Sequence, residues 1–249
     1  MKWFGRLGVG GGQNKSAFNF SYYPLPFYKS ILIPVSFIVF SGYVKAQQND
    51  FGVWAGVAVN HKFTQNFSAT VEEQFRFDHN ATAIAQYFTD AGAEYSLSKK
   101  FKVSLSYRFA NNYKKTYFSK RHRVSIDLSY KTKISKIQLM LRTRLQEQQA
   151  DINSSDLGHI PEWYSRNKLT AKLDLDQKYS PYLGVEAFYL ISKPGDDGHF
   201  IDKWRYSAGV EYKFNRVHAL DVYYLIQRER NVKNPLTDYV AGIGYVFSF

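Results

Sequence analysis

Hydrophobic and polar residues alternate along almost the whole chain after residue 50. In the stretch 136–149, for example, Ile137, Leu139, Leu141 and Leu145 alternate with Gln138, Arg142, Arg144 and Gln146. A period of two residues is typical of a β-strand with one apolar and one polar face. The pattern predicts eleven candidate strands, over residues 51–62, 67–77, 86–97, 101–112, 121–132, 136–149, 164–177, 181–192, 203–214, 217–228 and the terminal stretch 236–249.

These strands have the length and the connections of a membrane barrel. Each is long enough to provide the roughly 9 to 11 residues that a tilted strand needs to cross a membrane. Tight turns such as 98–100 and 133–135 alternate with longer connections, notably 150–163 and 193–202. The sequence therefore predicts an all-β fold, a transmembrane antiparallel up-and-down β-barrel. Because bacterial single-chain barrels usually have an even strand number with both ends in the periplasm, we expect ten or twelve strands.

The last strand carries its apolar face to the final residue. Such an edge invites aggregation unless it is closed into a barrel. The terminus resembles the C-terminal assembly signal of bacterial outer-membrane barrels, which has an aromatic last residue preceded by apolar residues at alternate positions. We assign that signal to Tyr245, Phe247 and Phe249. The resemblance implies that the barrel-assembly machinery is a partner.

The first 46 residues differ from the rest of the chain. Residues 31–44 form a short apolar run that is preceded by Lys29 and followed by Val44-Lys45-Ala46. This pattern predicts a secretory signal peptide that is cleaved after Ala46. Residues 1–28 are too long for an ordinary signal-peptide start, and an upstream translation start or a disordered extension would explain them. We therefore divide the chain into 1–46, an extension with a signal peptide, and 47–249, the barrel.

The composition narrows the choice of partners. The net charge is +12, but five of the bases and none of the acids lie in residues 1–46. The remaining 28 bases and 21 acids are scattered through the alternation without a single basic stripe, which argues against a nucleic-acid partner. Mean hydropathy is −0.39 although aromatic residues make up 18% of the chain. Barrels hide their apolar surface by alternation, and aromatic residues near strand ends, such as Tyr95, Phe101 and Tyr206, suit interfacial girdles.

Charged residues of both signs occupy the polar register and are predicted to face the barrel interior. Charges in so small an interior must be paired or hydrated. A salt-bridged plug, a narrow polar channel and a binding pocket are three hypotheses for this set. The predicted lumen charge network comprises Glu72, Arg76, Glu94, Arg108, Arg123, Asp127, Arg142, Arg144, Lys172, Asp174, Glu186, Arg205 and Glu211.

Five short motifs resemble a family of outer-membrane barrel proteins from Bacteroidota that carries a domain-of-unknown-function label. The motifs are FGVW at 51–54, EEQFR at 72–76, YRF at 107–109, HR at 122–123 and LRTR at 141–144. The resemblance covers about residues 48–249. It implies the fold and an outer-membrane location in a Gram-negative cell, and it implies no activity.

Catalytic and metal-binding patterns are weak. None of the six histidines has a serine two positions away, which is the spacing that would place both side chains on one face of a strand. Two acidic segments, around Asp151, Asp156 and His159 and around Asp196 and Asp197, could hold calcium, but solvated loop charge is the simpler interpretation. We predict no cofactor and no metal site. Outer-membrane lipid and lipopolysaccharide are the expected partners of a monomer; a lipid- or lipopolysaccharide-modifying enzyme, a narrow diffusion pore and a soluble lipocalin-like carrier are the alternatives.

Overall fold

The computed structural model describes residues 48–114, 116–150, 161–175, 178–192, 199–232 and 234–249. The predicted signal peptide lies outside these residues. So do the acidic loop residues Asp151, Asp156, His159, Asp196 and Asp197. Within the described ranges no helix is long and apolar enough to span a membrane.

Eleven strands form one closed barrel in the described part of the chain. Each strand is hydrogen-bonded in antiparallel fashion to the next one along the chain. The predicted all-β barrel fold is thus confirmed. The strands are β1 (Gln48–Lys62), β2 (Phe67–Asp78), β3 (Ala83–Ser96), β4 (Phe101–Lys114), β5 (Tyr117–Ile134), β6 (Ile137–Ala150), β7 (Glu162–Leu173), β8 (Tyr179–Ser192), β9 (Phe200–Lys213), β10 (His218–Glu229) and β11 (Leu236–Ser248).

The barrel closes through a parallel pair, so the predicted even strand number was wrong. Strands β1 and β11 pair in parallel from Gln48 opposite Leu236 to Asn60 opposite Ser248. The parity rule assumes that every pair is antiparallel. A single parallel pair removes that requirement, and β1 therefore starts at the end of the barrel opposite to the one at which β11 finishes.

Several strand ends differ from the predicted ones. Strand β7 ends at Leu173, so Asp174 lies in the turn and not in the wall. At the other end of the barrel, β2 to β5 extend further than their alternation suggested and leave only residues 79–82 and 115–116 as connections. Two of the five connections at that end, β2 to β3 and β4 to β5, are therefore as short as the turns at 63–66 and 97–100 at the first end. The expected contrast between short turns at one end and long loops at the other holds only for the remaining three connections.

The outward face of the wall is apolar. Aliphatic side chains such as Leu105 and Leu183, which are 55% and 65% exposed, occupy its middle. Tyr107, Tyr206 and Tyr224 are exposed in the middle of their strands, so the expected girdle position of Tyr206 was wrong. The other exposed aromatic side chains lie near the strand ends, as membrane girdles do. At the end with the tight turns these are Phe63, Phe67, Tyr95, Phe101, Tyr179, Phe214 and Phe249, and at the opposite end they are Phe51, Phe75, Tyr113, Tyr117, Phe118 and Tyr189.

The inward face combines charged side chains with aromatic rings that lie against glycines. The ring of Tyr223 on β10 lies over Gly242 of β11, where a Cβ atom would overlap the ring carbons. The ring of Tyr182 covers Gly209 in the same way, with its Cζ atom 2.7 Å from the position of a Cβ. A glycine at such a position allows the ring to pack flat against the wall. The most buried side chains, Phe88, Val240 and Ser125, also lie on this inward face.

Candidate functional site

A polar cavity of about 450 Å³ occupies the centre of the lumen. Its walls come from almost all the strands, because every second residue of each strand points inward. The cavity lining contains nine cationic side chains against four acidic ones. The cationic side chains are Arg76, Arg108, Arg123, Arg142, Arg144, Arg166, Lys168, Lys203 and Arg205, and the acidic ones are Glu72, Asp90, Glu186 and Asp221.

Three arginines converge on one carboxylate, that of Glu186 on β8. Arg142 donates to its Oε1 atom at 2.7 Å, and Arg166 donates to the same atom at 2.9 Å. A nitrogen of Arg205 lies 3.5 Å from Oε2. Lys168 is the cross-strand partner of both Arg142 and Glu186, yet no ion pair of its own is found within the described residues. The cluster formed by these five side chains carries more positive than negative charge.

The adjoining part of the cavity wall, formed by β3 to β6, is closer to charge balance. Arg144 makes a bidentate pair with Asp127, at 2.6 and 2.7 Å, and Arg108 donates to Asp90 at 2.8 Å. These side chains are largely buried, so loss of one partner would leave an uncompensated charge at a cost of about 3 to 5 kcal/mol. Arg123 instead donates to the neutral amide oxygen of Gln148.

Arginines and aromatic rings form a continuous chain across the lumen. Arg166 and Arg205 both face the ring of Phe188, at 4.3 and 4.9 Å from its centre, and Arg205 also faces Trp54 at 5.3 Å. The chain continues from Trp54 through Arg76, Phe88 and Arg108, with distances of 3.8, 4.9 and 3.6 Å. Cation–π contacts of this kind are worth about 0.5 to 2 kcal/mol each. We call these four arginines and three rings the cation–aromatic chain.

Two further cavities lie on either side of the central one. One of about 830 Å³ faces the tight turns and shares Lys168, Tyr182 and Asp221 with the central cavity. The other, of about 310 Å³, lies towards the opposite end and shares Trp54 and Arg76. The lumen is therefore a series of three spaces, and the shared side chains form the partitions between them.

Four of the predicted network residues lie away from the central cavity. Glu94 pairs with Lys102 near the tight turns, and Lys172 pairs with Glu211 at 2.7 Å on the wall of the 830 Å³ cavity that faces those turns. Asp174 lies in the exposed turn after β7 and accepts a hydrogen bond from Lys133 at 2.6 Å. That contact holds the pKa of the Asp174 carboxyl below its ordinary value of 3.8.

The predicted assembly-signal residues lie along the closing seam and face outward. Tyr245 contacts His218 of β10 at 2.5 Å, and the ring of Phe247 packs against Phe249. The backbone of Phe249 bonds twice to β1: its N–H donates to the carbonyl of Asn60 and its carbonyl accepts from Lys62, both at 3.0 Å. The last residue thus takes part in closing the barrel.

The described residues show no arrangement typical of a hydrolytic site or of a metal site. Hydrogen bonds of the histidine rings there go to Asp78, Tyr107 and Tyr245, and none goes to a serine. In the same ranges no three His, Asp or Glu side chains are grouped closely enough to hold a metal ion.

Comparisons with known proteins assign a family. The model of the family described as "Protein of unknown function (DUF2490)" matches residues 51–238. The chain belongs to this family. A solved structure, the translocator domain of the autotransporter NalP from Neisseria meningitidis, is similar with a TM-score of 0.42 and 12% identity, over 71% of this chain and 72% of that one. No curated protein matches the chain.

In this DUF2490 chain, several cavity residues were missing from the predicted network. Arg166 and Lys203 share the inward register with Lys168 and Arg205, so alternation alone could have located them. The inward aromatic residues Trp54, Phe88 and Phe188 were harder to find, since a large ring in a barrel strand is usually expected on the lipid face. Their role becomes visible only through the arginines that stack on them.

Proposed function

We propose that this DUF2490 protein is an outer-membrane β-barrel with a structural or weakly permeable role and a charge-filled lumen. The observation that carries the proposal is the inversion of its two faces. A soluble carrier places apolar side chains inside and polar ones outside, whereas here leucines and valines cover the outside and arginines and carboxylates fill the inside. A closed barrel pairs its backbone N–H and C=O groups between its own strands, as the interior of a bilayer requires. Exposure of its apolar belt to water would be costly in free energy.

The interior supports low permeability. The cation–aromatic chain reaches from Arg166 on β7 to Arg108 on β4 and divides the lumen at Trp54 and Arg76. Buried pairs such as Arg144 with Asp127 fix these side chains to the wall. An ion could cross this lumen only if such contacts broke as it passed, so we propose that the resting barrel passes few ions.

A location in the outer membrane would determine the other partners of the protein. Outer-membrane lipid and lipopolysaccharide would contact the apolar belt and the aromatic girdles, and the barrel-assembly machinery would insert the chain through its terminal strand. We propose a monomer, since the closed barrel completes its own hydrogen bonding in the described residues. The seam contacts of Phe249 support a role for the last residue in that assembly.

The membrane location is tested by fractionating Gram-negative cells that express the full chain. We expect the protein in the outer-membrane fraction, resistant to carbonate extraction, with an electrophoretic mobility that shifts on boiling. Recovery of folded protein from detergent-free buffer would support the soluble-carrier alternative and overturn the proposal.

The permeability is tested in planar bilayers with the purified, refolded barrel. We expect little or no steady conductance. Neutralising Arg142 and Arg144 together should raise the leak and lower the unfolding temperature in the same variant, because Asp127 then loses its only ion pair among the described residues. Large and stable channels from the unmutated protein would favour the diffusion-pore alternative. The enzyme alternative gains nothing from the histidine contacts described above.

A further inference from the structure

The central cavity has far more positive charge than its acids can neutralise. Asp127 lies just behind the lining and brings the acids near the cavity to five, against nine cationic side chains. The excess is concentrated at Glu186, whose single carboxylate faces three guanidinium groups and the Lys168 ammonium. Like charges held this close repel one another unless an anion joins them.

Unused hydrogen-bond donors are present at the same place. The Nε atoms of Arg142 and Arg205 are buried, and neither has a hydrogen-bond partner in the structure. Buried donors of this kind are costly when they are left unpaired. The ring of Phe188 lies against Arg166 and Arg205, and the ring of Trp54 lies against Arg205, so the N–H groups of these two arginines that point away from the rings are the ones that can bind a ligand.

The chemistry of the cluster selects the ligand. Several planar guanidinium groups around a wet pocket match the oxygens of a phosphate-type anion, which they bind through paired, charge-assisted hydrogen bonds. A volume of about 450 Å³ accommodates inorganic phosphate, pyrophosphate or a small organic phosphate. The cavities on both sides adjoin the central one, so a soluble anion reaches the cluster by passing the side chains at each boundary, whereas the continuous wall separates the cluster from lipid headgroups.

We propose that the Glu186 cluster is a binding site for a small polyvalent oxyanion of the phosphate type. Arg142, Arg166 and Arg205 hold the anion, and Lys168 supplies a further charge. The inference rests on the proposed function in one respect, because it requires a hydrated lumen inside the membrane. Binding is measured on the detergent-solubilised barrel, so its failure is distinguishable from failure of the membrane or conductance tests.

The experiment uses sodium phosphate and sodium pyrophosphate as probes, with sodium chloride at matched ionic strength as the reference. Calorimetric titration should detect saturable binding of pyrophosphate, and thermal unfolding should show a rise of about 4 °C or more at saturating probe. Equal responses to pyrophosphate and to chloride would overturn the proposal.

Lys168→Gln is the informative variant, because it removes a charge from the cluster without breaking an ion pair of the described residues. We expect pyrophosphate to bind at least roughly tenfold more weakly, as the loss of one charge-assisted contact implies. Lys102→Gln is the matched control, since Lys102 is an inward lysine that pairs with Glu94 outside the cavity. Equal effects of the two substitutions would indicate a general charge effect and contradict the site.

Glu186→Gln provides a test with the opposite sign. This variant loses the carboxylate that the three arginines share, so it should unfold at a lower temperature than the parent in chloride. Pyrophosphate should then bind more tightly than to the parent and should raise the unfolding temperature by a larger amount. A purely structural role for Glu186 predicts the same destabilisation with no greater gain from pyrophosphate, and that result would refute the proposal.

Discussion

Substitution of Gly242 by alanine probes the packing that closes the barrel. Gly242 lies on β11, next to β1 at the seam, and the ring of Tyr223 from β10 lies directly over it. A methyl group at this position would overlap three carbon atoms of that ring. The base of the same side chain is also closely packed, because a Cβ added at Gly209 would come within 2.8 Å of the Tyr223 Cβ.

The expected cost follows from that overlap. Forcing an extra methyl group into a well-packed site typically costs about 1 to 3 kcal/mol. Gly244 is the matched control, because it is two residues further along the same inward face and a methyl group there would lie 3.9 Å from its nearest heavy atom, the Cβ of Asp221. Gly244→Ala should therefore be neutral or stabilise by about 0.5 to 1 kcal/mol, the usual gain when a strand glycine is replaced without strain.

Urea-induced unfolding of the refolded barrel in detergent, followed by tryptophan fluorescence, measures both variants. The overlap also predicts a specific rescue. In a Tyr223→Leu background the ring is gone, so Gly242→Ala should lose most of its cost, and a double-mutant cycle should show coupling between the two positions. Equal stabilities of the two glycine variants, or a cycle without coupling, would refute the packing argument.

Three further predictions test other parts of the molecule. Deleting Phe249 removes two backbone hydrogen bonds to β1, so outer-membrane levels should fall sharply in fractionated cells; unchanged levels of heat-modifiable protein would contradict this. Leu141→Arg should lower the free energy of unfolding by about 2 to 4 kcal/mol, measured by urea unfolding in lipid, whereas Leu173→Arg at the end of β7 should lower it by about 0 to 1 kcal/mol. A harmless Leu141→Arg would disprove the outward register. The hydrogen bond between His79 and Asp78 raises the pKa of His79 above 6.5. The small stabilisation from this contact is therefore present at low pH and is lost as the pH rises through the raised pKa. Titration of His79 by NMR should show the raised pKa, and Asp78→Asn should abolish the shift.

Alternation predicted the strands and their faces because it depends only on local geometry. The residues that were assigned outward or inward in β6, such as Leu141 and Arg142, lie on those faces in the structure. The strand number could not be obtained in the same way. It depends on how the two chain-distant strands β1 and β11 meet, and no local pattern distinguishes a parallel from an antiparallel closure.

The ion-pair partner of each charged residue also could not be predicted from the sequence. The inward register identifies a charged residue, but its partner depends on the strand register and on the direction in which a long side chain bends. Arg142 thus pairs with Glu186 two strands away and not with a neighbour on β7. The alternation showed that both signs face inward but not where each sign collects. The three-dimensional arrangement gathers the cations at the centre and leaves pairs such as Glu94 with Lys102 near one end.

The proposed low permeability and the proposed anion binding have one physical origin in this lumen. A channel conducts only if its ions bind strongly enough to enter and weakly enough to leave. A cluster of three guanidinium groups around one carboxylate attracts an anion strongly, and the partitions at Trp54 and Arg76 and at Lys168 and Tyr182 restrict its escape. If the proposal is correct, such a site retains an anion that a pore would pass. Any residual current through the barrel should therefore be carried by small anions such as chloride, and pyrophosphate should block it at the concentrations at which it binds.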